Sequence, residues 1–328
     1  MNYNKRILTT AIITLTVFIF SPQIYALPIF EYNIFEQRPR YEFTEQLKKD
    51  NLLLNKGENE IRVMTLNLLA HYTSWGGTPV NERSHIFFSL RDSYKPDVLG
   101  VQEMCSDWYK EIINDKSSYK FVTPIKTAFP QKMTAILYNS DTLQVIDSGN
   151  KAFSDVLNFK ARRVVWTVFK TKNTNEIFVV LNTHLSFISK NKTDQNLGSQ
   201  ACQVNELYTM TKALYSQYSA PILIIGDFNT KRRVNYQKSV ITSGNYGILN
   251  SLYTDAENST KTKFCGENLS FNNTLNDHIF IYGEAKINNL SLLSQDIFKN
   301  LSDHFPLLAD ISLWNLFKLL IDRISTMV

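Results

Sequence analysis

The 328-residue chain holds only three cysteines, Cys105, Cys202 and Cys265, at spacings that suit neither a thiolate metal centre nor a redox pair. An odd count allows one disulfide beside a free thiol, with Cys202 and Cys265 as the expected partners. All three are read as structural. Neither sign of charge predominates: of 35 Lys and Arg, two are Lys5 and Arg6 near the N-terminus, which leaves 33 against 30 Asp and Glu. So even a balance announces neither a nucleic-acid nor a membrane partner. Internal repeats and low-complexity segments are absent. The apolar stretch from Ile7 to Phe20 is too short for a comfortable membrane span.

That stretch follows Lys5 and Arg6 and precedes a short segment ending in Ala26. A basic start, an apolar middle and a small residue at the end predict a secretory signal over 1–26, with an uncleaved anchor as the alternative. The mature chain is expected in a periplasm or outside the cell. Residues 27–59 lack any sustained period and are read as a lead-in segment. The remaining chain, about 300 residues, can bury a large core as one domain or two.

The most informative stretch is Pro221-Ile222-Leu223-Ile224-Ile225-Gly226-Asp227-Phe228-Asn229-Thr230. Four consecutive aliphatics predict a strand buried on both faces. Gly226 then lets the backbone leave the strand, presenting Asp227 and Asn229 with Phe228 turned back between them. Taken alone, the pair fits a turn cap equally well. Other strands end in the same way. Ile61–Leu66 runs into Asn67, and Asp97–Val101 runs into Glu103, a costly residue at the exit of a buried strand. Arg162–Phe169 and Ile177–Leu181 read as a hairpin whose second arm ends at His184. Asp277 opens the strand Ile279–Tyr282, and Asp303-His304 precedes Phe305–Ile311.

Between these, Asn81 is expected to cap a helix carrying Ile86, Phe87, Leu90 and Tyr94. Met133–Tyr138 and Thr142–Ile146 read as a meander, and 186–199 as a long polar loop before a helix through Val204 and Tyr218. Asp255 is placed in a loop. His71, His85 and His278 are read as structural or solvent-facing. Residues 315–328 suit an amphipathic helix covering the core, with an interfacial membrane helix as the alternative. Hairpins beside helical crossovers predict a mixed α/β fold, two sheets packed face to face with helices outside.

The collected termini are Asn67, Glu103, His184, Asp227, Asn229, Asp277, Asp303 and His304. Hard oxygen donors without thiolates suit Mg²⁺, with Mn²⁺ or Ca²⁺ as alternatives, and Glu103 is the first expected ligand. Phosphoester hydrolysis needs such a cation, an oriented water and an acid for the leaving oxygen, and the set supplies each.

Thr65-Leu66-Asn67, Gln102-Glu103, Asn182-Thr183-His184-Leu185, Gly226-Asp227-Phe228-Asn229, Asn276-Asp277-His278-Ile279 and Ser302-Asp303-His304-Phe305-Pro306 occur in this order. In this the chain resembles the endonuclease/exonuclease/phosphatase superfamily over residues 60–314. The resemblance implies a deoxyribonuclease I-like four-layer α/β sandwich. It also implies a Mg²⁺ site on Glu103 with Asn67 and Asp303 nearby. His304 would contact the scissile phosphate with Asp277 as its partner, and Asp227 would orient or deprotonate the water. Asn229 would hold phosphate or water, and His184 would be the second catalytic imidazole. Arg162 or Arg163 matches an arginine that such enzymes place on a substrate phosphate. One departure is that Gln131-Lys132-Met133 offers no glutamate to pair with His184.

Three functions follow. The leading expectation is an exported Mg²⁺-dependent phosphodiesterase on DNA or RNA, supported by the Lys231-Arg232-Arg233 cluster. The second is the same chemistry on a phospholipid or inositol-phosphate headgroup, as in neutral sphingomyelinase-like members. The third is a non-catalytic binding module on this scaffold. No protein partner is expected, and the chain is read as a monomer.

Overall fold

The computed structural model describes residues 45–49, 55–70, 78–122, 134–154, 162–187, 193–230, 245–259, 276–294 and 296–313, without the side chains of 193–197 and 297. Outside them lie the leader, His71, Gln131-Lys132-Met133, the Lys231-Arg232-Arg233 cluster, Cys265 with its expected pairing, and the helix expected over 315–328. The chain divides into two compact units, 1–53 and 54–328. Within the first, 45–49 is helical, with Lys48 Nζ 2.6 Å from Glu45 Oε1.

The second unit is built on two six-stranded sheets. In chain order its strands are β1 (Glu60–Asn67), β2 (Val98–Gln102), β3 (Tyr119–Phe121), β4 (Thr134–Asn139), β5 (Leu143–Ala152) and β6 (Arg163–Thr171), followed by β7 (Ile177–His184), β8 (Ile222–Asp227), β9 (Thr254–Asp255), β10 (Asp277–Tyr282), β11 (Ala285–Leu292) and β12 (Leu307–Leu313). The first sheet runs β11-β12-β1-β2-β4-β3 and the second β5-β6-β7-β8-β10-β9. Each is mixed. The β1–β2 and β7–β8 pairs are parallel, and the remaining ladders are antiparallel. The helices are α1 (Val80–Tyr94), α2 (Ser106–Asn114), α3 (Thr193–Tyr218), α4 (Tyr246–Leu252) and α5 (Ala256–Ser259).

β8 is buried along its whole length, as its apolar run requires, and each buried Ile or Leu stabilises by about 2 kcal/mol. Its outer face packs with Val179 and Leu181 of β7 against Val204, Leu207 and Leu214 of α3. Its inner face meets the first sheet so closely that a Cβ on Gly100 would lie 2.6 Å from Ile225 Cδ1. Polar bonds cross the same seam. Gln102 Nε2 donates to Asn182 Oδ1 at 2.7 Å, and Asn182 Nδ2 donates to the carbonyls of Val101 and Ala135.

Four expectations are corrected. Pro79 flanks α1, and its carbonyl accepts from Glu82 and Arg83 N–H, so Asn81 stands exposed in the first turn and caps nothing. β4 and β5 form no meander: after a turn in which Asp141 N–H donates to Asn139 Oδ1, the chain changes sheet and β5 pairs with β6. α3 begins at Thr193, inside the expected loop, because its early buried residues Ser199, Gln200 and Gln203 are polar and give no apolar period. Asp255 lies in β9, paired with Phe280.

Candidate active site

The site forms where the parallel strands of both sheets end, the usual place for chemistry in an α/β sheet. In the second sheet, register sets His184 of β7 and Asp277 of β10 on either side of Asp227. Gly226 makes that row: its φ is 144°, and a Cβ there would lie 2.0 Å from the Thr183 carbonyl oxygen. In the first sheet, Asn67 pairs with Gln102, and Glu103 follows at φ 53°. Asn229 and Leu69 also adopt left-handed backbone, at φ 48° and 53°. Such conformations cost about 1 kcal/mol or more outside glycine and concentrate at functional sites.

Asp227 Oδ2 is the meeting point. It lies 3.2 Å from His184 Nε2 and 3.9 Å from His304 Nε2, and accepts a bond from Asn67 Nδ2 at 3.1 Å. Its other oxygen accepts from Asn229 N–H at 2.9 Å. Asn67 Nδ2 also donates to Glu103 Oε1 at 3.1 Å, so one amide group joins the two sheets' carboxylates. Glu103 Oε2 accepts from Ala70 N–H, and Asn229 Nδ2 donates to the Leu185 carbonyl. His304 Nδ1 sits 2.6 Å from Asp277 Oδ2, which aims Nε2 toward Asp227.

Burial raises the Asp227 carboxyl, but His184, His304 and the Asn229 N–H outweigh it and hold the group well below the usual carboxylate range. Burial disfavours the His304 imidazolium, yet the charges of Asp277, Asp227 and Asp303 prevail and push the ring well above its ordinary value. Buried Asp277 Oδ1 and His184 Nδ1 have no hydrogen-bond partner among the described residues.

Arg162 is buried within electrostatic reach of Asp227 and Glu103, and burial lowers its affinity for the proton. Arg163 is lowered by burial alone, so of the two candidates the structure brings Arg162 to the acids. Asp303 is exposed beside His304, bonded to Ser302 Oγ at 3.3 Å. His278 turns aside, its Nε2 3.0 Å from the Thr230 carbonyl oxygen.

No family model and no curated protein matches the sequence. Solved structures do match. The human Nocturnin catalytic domain with bound sulfate anion is 17% identical, with TM-score 0.60, over 79% of this chain and 97% of that one. A mannosyl-6-phosphatase of Bacteroides thetaiotaomicron is 19% identical, with TM-score 0.57, over 76% and 99%. D. rerio TDP2 complexed with single strand DNA product is 14% identical, with TM-score 0.56, over 77% and 99%. A further match is described as the endonuclease/exonuclease/phosphatase from Bacteroides vulgatus. The chain has the endonuclease/exonuclease/phosphatase fold.

In this fold the donors around Glu103 are suited to a hard cation. Among the described residues no three His, Cys, Asp or Glu are grouped to enclose a metal. A carboxylate held by Asn67 Nδ2 and Ala70 N–H is a hard oxygen donor of the kind a divalent cation takes. Asn67 presents its NH₂ rather than its oxygen to Glu103, because Asn67 Oδ1 accepts from Leu69 N–H at 3.0 Å. As placed, it orients the carboxylate.

Sequence reasoning missed the residues holding the loops. Gln200 Nε2 donates to the carbonyls of Ser186, Phe228 and Asn229, tying the loop after β7 to the loop after β8. Arg83 does the same for the first sheet. Its signal was present: Arg83 shares the buried stripe of Phe87, Leu90 and Tyr94, where a charge is out of place.

Proposed function

We propose that this chain is an exported, divalent-cation-dependent phosphodiester hydrolase acting on nucleic acid, with Mg²⁺ as the cation. The observation that carries the reading is the convergence of His184 Nε2, His304 Nε2 and Asn67 Nδ2 on Asp227 Oδ2, at 3.2, 3.9 and 3.1 Å. One buried carboxylate oxygen with two imidazoles against it supplies acceptor and donor for moving a proton.

When bound at Glu103, the cation supplies charge neutralisation at a phosphoryl oxygen. Asn67 would hold Glu103 for that task, with exposed Asp303 as a further acid for the cation. Asp227 orients the attacking water and accepts its proton. His304, fixed by Asp277, donates from Nε2 to a phosphoryl oxygen, and Asn229 holds that phosphate or the water. His184, on Asp227 Oδ2, is the second catalytic imidazole. Arg162 adds a guanidinium to the phosphate. The sulfate on Nocturnin and the DNA product on TDP2 lend support to a phosphate-bearing substrate.

One observation favours a phospholipid headgroup as second reading: His184 Nδ1 lacks a partner among the described residues, and Gln131-Lys132-Met133 supplies no glutamate for it. Supercoiled plasmid and sphingomyelin vesicles, each with Mg²⁺ or EDTA, separate the two, with Glu103→Ala as control. EDTA-sensitive nicking of plasmid alone is expected. Turnover of vesicles alone assigns the site to lipid, and no turnover of either leaves the scaffold as a binding module.

A further inference from the structure

Arg83 is 3% exposed, and among the described residues no carboxylate forms a salt bridge with it. Its guanidinium is spent on four backbone carbonyls. Nε donates to Thr78 O at 2.8 Å, Nη1 to Leu68 O at 2.6 Å and Leu301 O at 3.0 Å, and Nη2 to Leu69 O at 2.8 Å. Leu68 and Leu69 follow Asn67, and Leu301 precedes Ser302-Asp303-His304. One planar group therefore ties the loop after β1 to the loop before β12. Ser302 Oγ spans the same gap, donating to Asn67 O at 2.6 Å and accepting from His304 N–H at 3.2 Å.

Trp108 of α2 completes the clamp. Its ring lies 5.1 Å from the Arg83 guanidinium carbon, and its Nε1–H donates to Leu69 O at 3.2 Å. α2 begins three residues after Glu103, so the stack fixes that carboxylate's loop as well. Leu69 and Glu103 are the two left-handed residues of this corner, at φ 53° each, a conformation that surrounding contacts must hold.

We infer that Arg83, stacked on Trp108, is the positioning residue of the cation half of the site: it sets Glu103 and Asn67 against Asp303 and His304 at the separation one cation and its phosphate need. This rests on the reading of Glu103 as cation ligand. Charge alone predicts the opposite sign, since a buried guanidinium near Glu103 and Asp303 repels a cation.

The test is the thermal midpoint of the whole protein titrated with Mg²⁺ alone, without substrate, for wild type, Glu103→Ala, Arg83→Lys and Trp108→Phe. Binding to the folded state raises the midpoint with cation concentration. Wild type is expected to respond and Glu103→Ala not to. Arg83→Lys keeps the charge but loses the fork, and should need about tenfold more Mg²⁺ or beyond for the same rise, the usual cost of disturbing a ligand's support. Trp108→Phe keeps an aromatic ring and loses the bond to Leu69, so its curve should move the same way by a smaller factor. It also decides the matter if Arg83→Lys does not fold. The inference is overturned if the folded variants start from a lower midpoint yet follow the wild-type Mg²⁺ dependence, or if they respond at lower Mg²⁺. A wild-type midpoint that ignores Mg²⁺ overturns the cation reading itself, and wild type alone reveals that.

Discussion

His304 and Asp277 depend on each other unequally. The imidazole is partly open to the site, whereas the carboxylate is buried and has one oxygen already without a partner among the described residues. His304→Ala should lower hydrolysis by about a thousandfold. It should also cost about 3 kcal/mol of stability, because Asp277 is left as a buried charge without its counterpart. Adding Asp277→Asn removes that charge. The double variant should regain most of the lost stability in urea melts and none of the lost rate. Equal recovery of both would mean that His304 serves only to neutralise Asp277.

Among the elements, the β7–β8 ladder carries the site, and Gly226 is its narrowest point. Gly226→Ala would force a Cβ to within 2.0 Å of the Thr183 carbonyl oxygen at a φ of 144°. A loss of about 3 kcal/mol or more is expected, with activity falling as the His184–Asp227 row shifts. The far edge of the sheet offers a pH test. Burial raises the Glu206 carboxyl of α3, but bonds from Ser154 and Lys151 outweigh it and lower the group. A depressed carboxyl stabilises the fold above its ordinary value of 4.5, and that contribution fades as pH falls toward the folded value. The acid limb of the melting midpoint should therefore be shallower in Glu206→Gln than in wild type, by a small margin for so open a group.

Elements also decide what could be read in advance. β8 was legible because four aliphatics leave one interpretation, and the strand ends at Asn67, Glu103, His184 and Asp227 because polar groups there break an apolar run. α2, β3 and β11 were not, since each is short or half-exposed. The start of α3 was hidden by buried glutamines whose role is to bond loop carbonyls, not to fill a core. The split of β4 and β5 between sheets could not be seen, because a turn that leaves a sheet uses the same residues as one that returns to it. At the site, residue types were legible and mutual distances were not. Nothing in the sequence sets Asp227 Oδ2, rather than Glu103, as the point where both histidines meet.

At the scale of the molecule, the first sheet is closed by a pair distant in sequence. Arg62 of β1 bonds Asp310 of β12 through Nε at 2.7 Å and Nη2 at 2.9 Å, and Nη1 donates to the Tyr94 carbonyl. Asp310→Ala would strand a buried guanidinium, and a loss of about 3 to 5 kcal/mol in urea unfolding is expected. Cation removal should act differently: EDTA should abolish hydrolysis while leaving circular dichroism unchanged, because Glu103 stands in a loop and is held by Asn67 and Ala70 N–H without the cation.

The pairing of β1 with β12 also sets an order of events during synthesis. The strands of the second sheet fall within residues 143–282, all made before β12. β1, made first, must wait for β12 on one flank: Arg62 and Asp310 are 248 residues apart. Asp303 and His304 arrive with that last strand. The stretches bearing His184, Asp227 and Asp277 are thus made before Asp303 and His304. The full constellation is complete only once β12, among the last strands made, lies beside β1, the first.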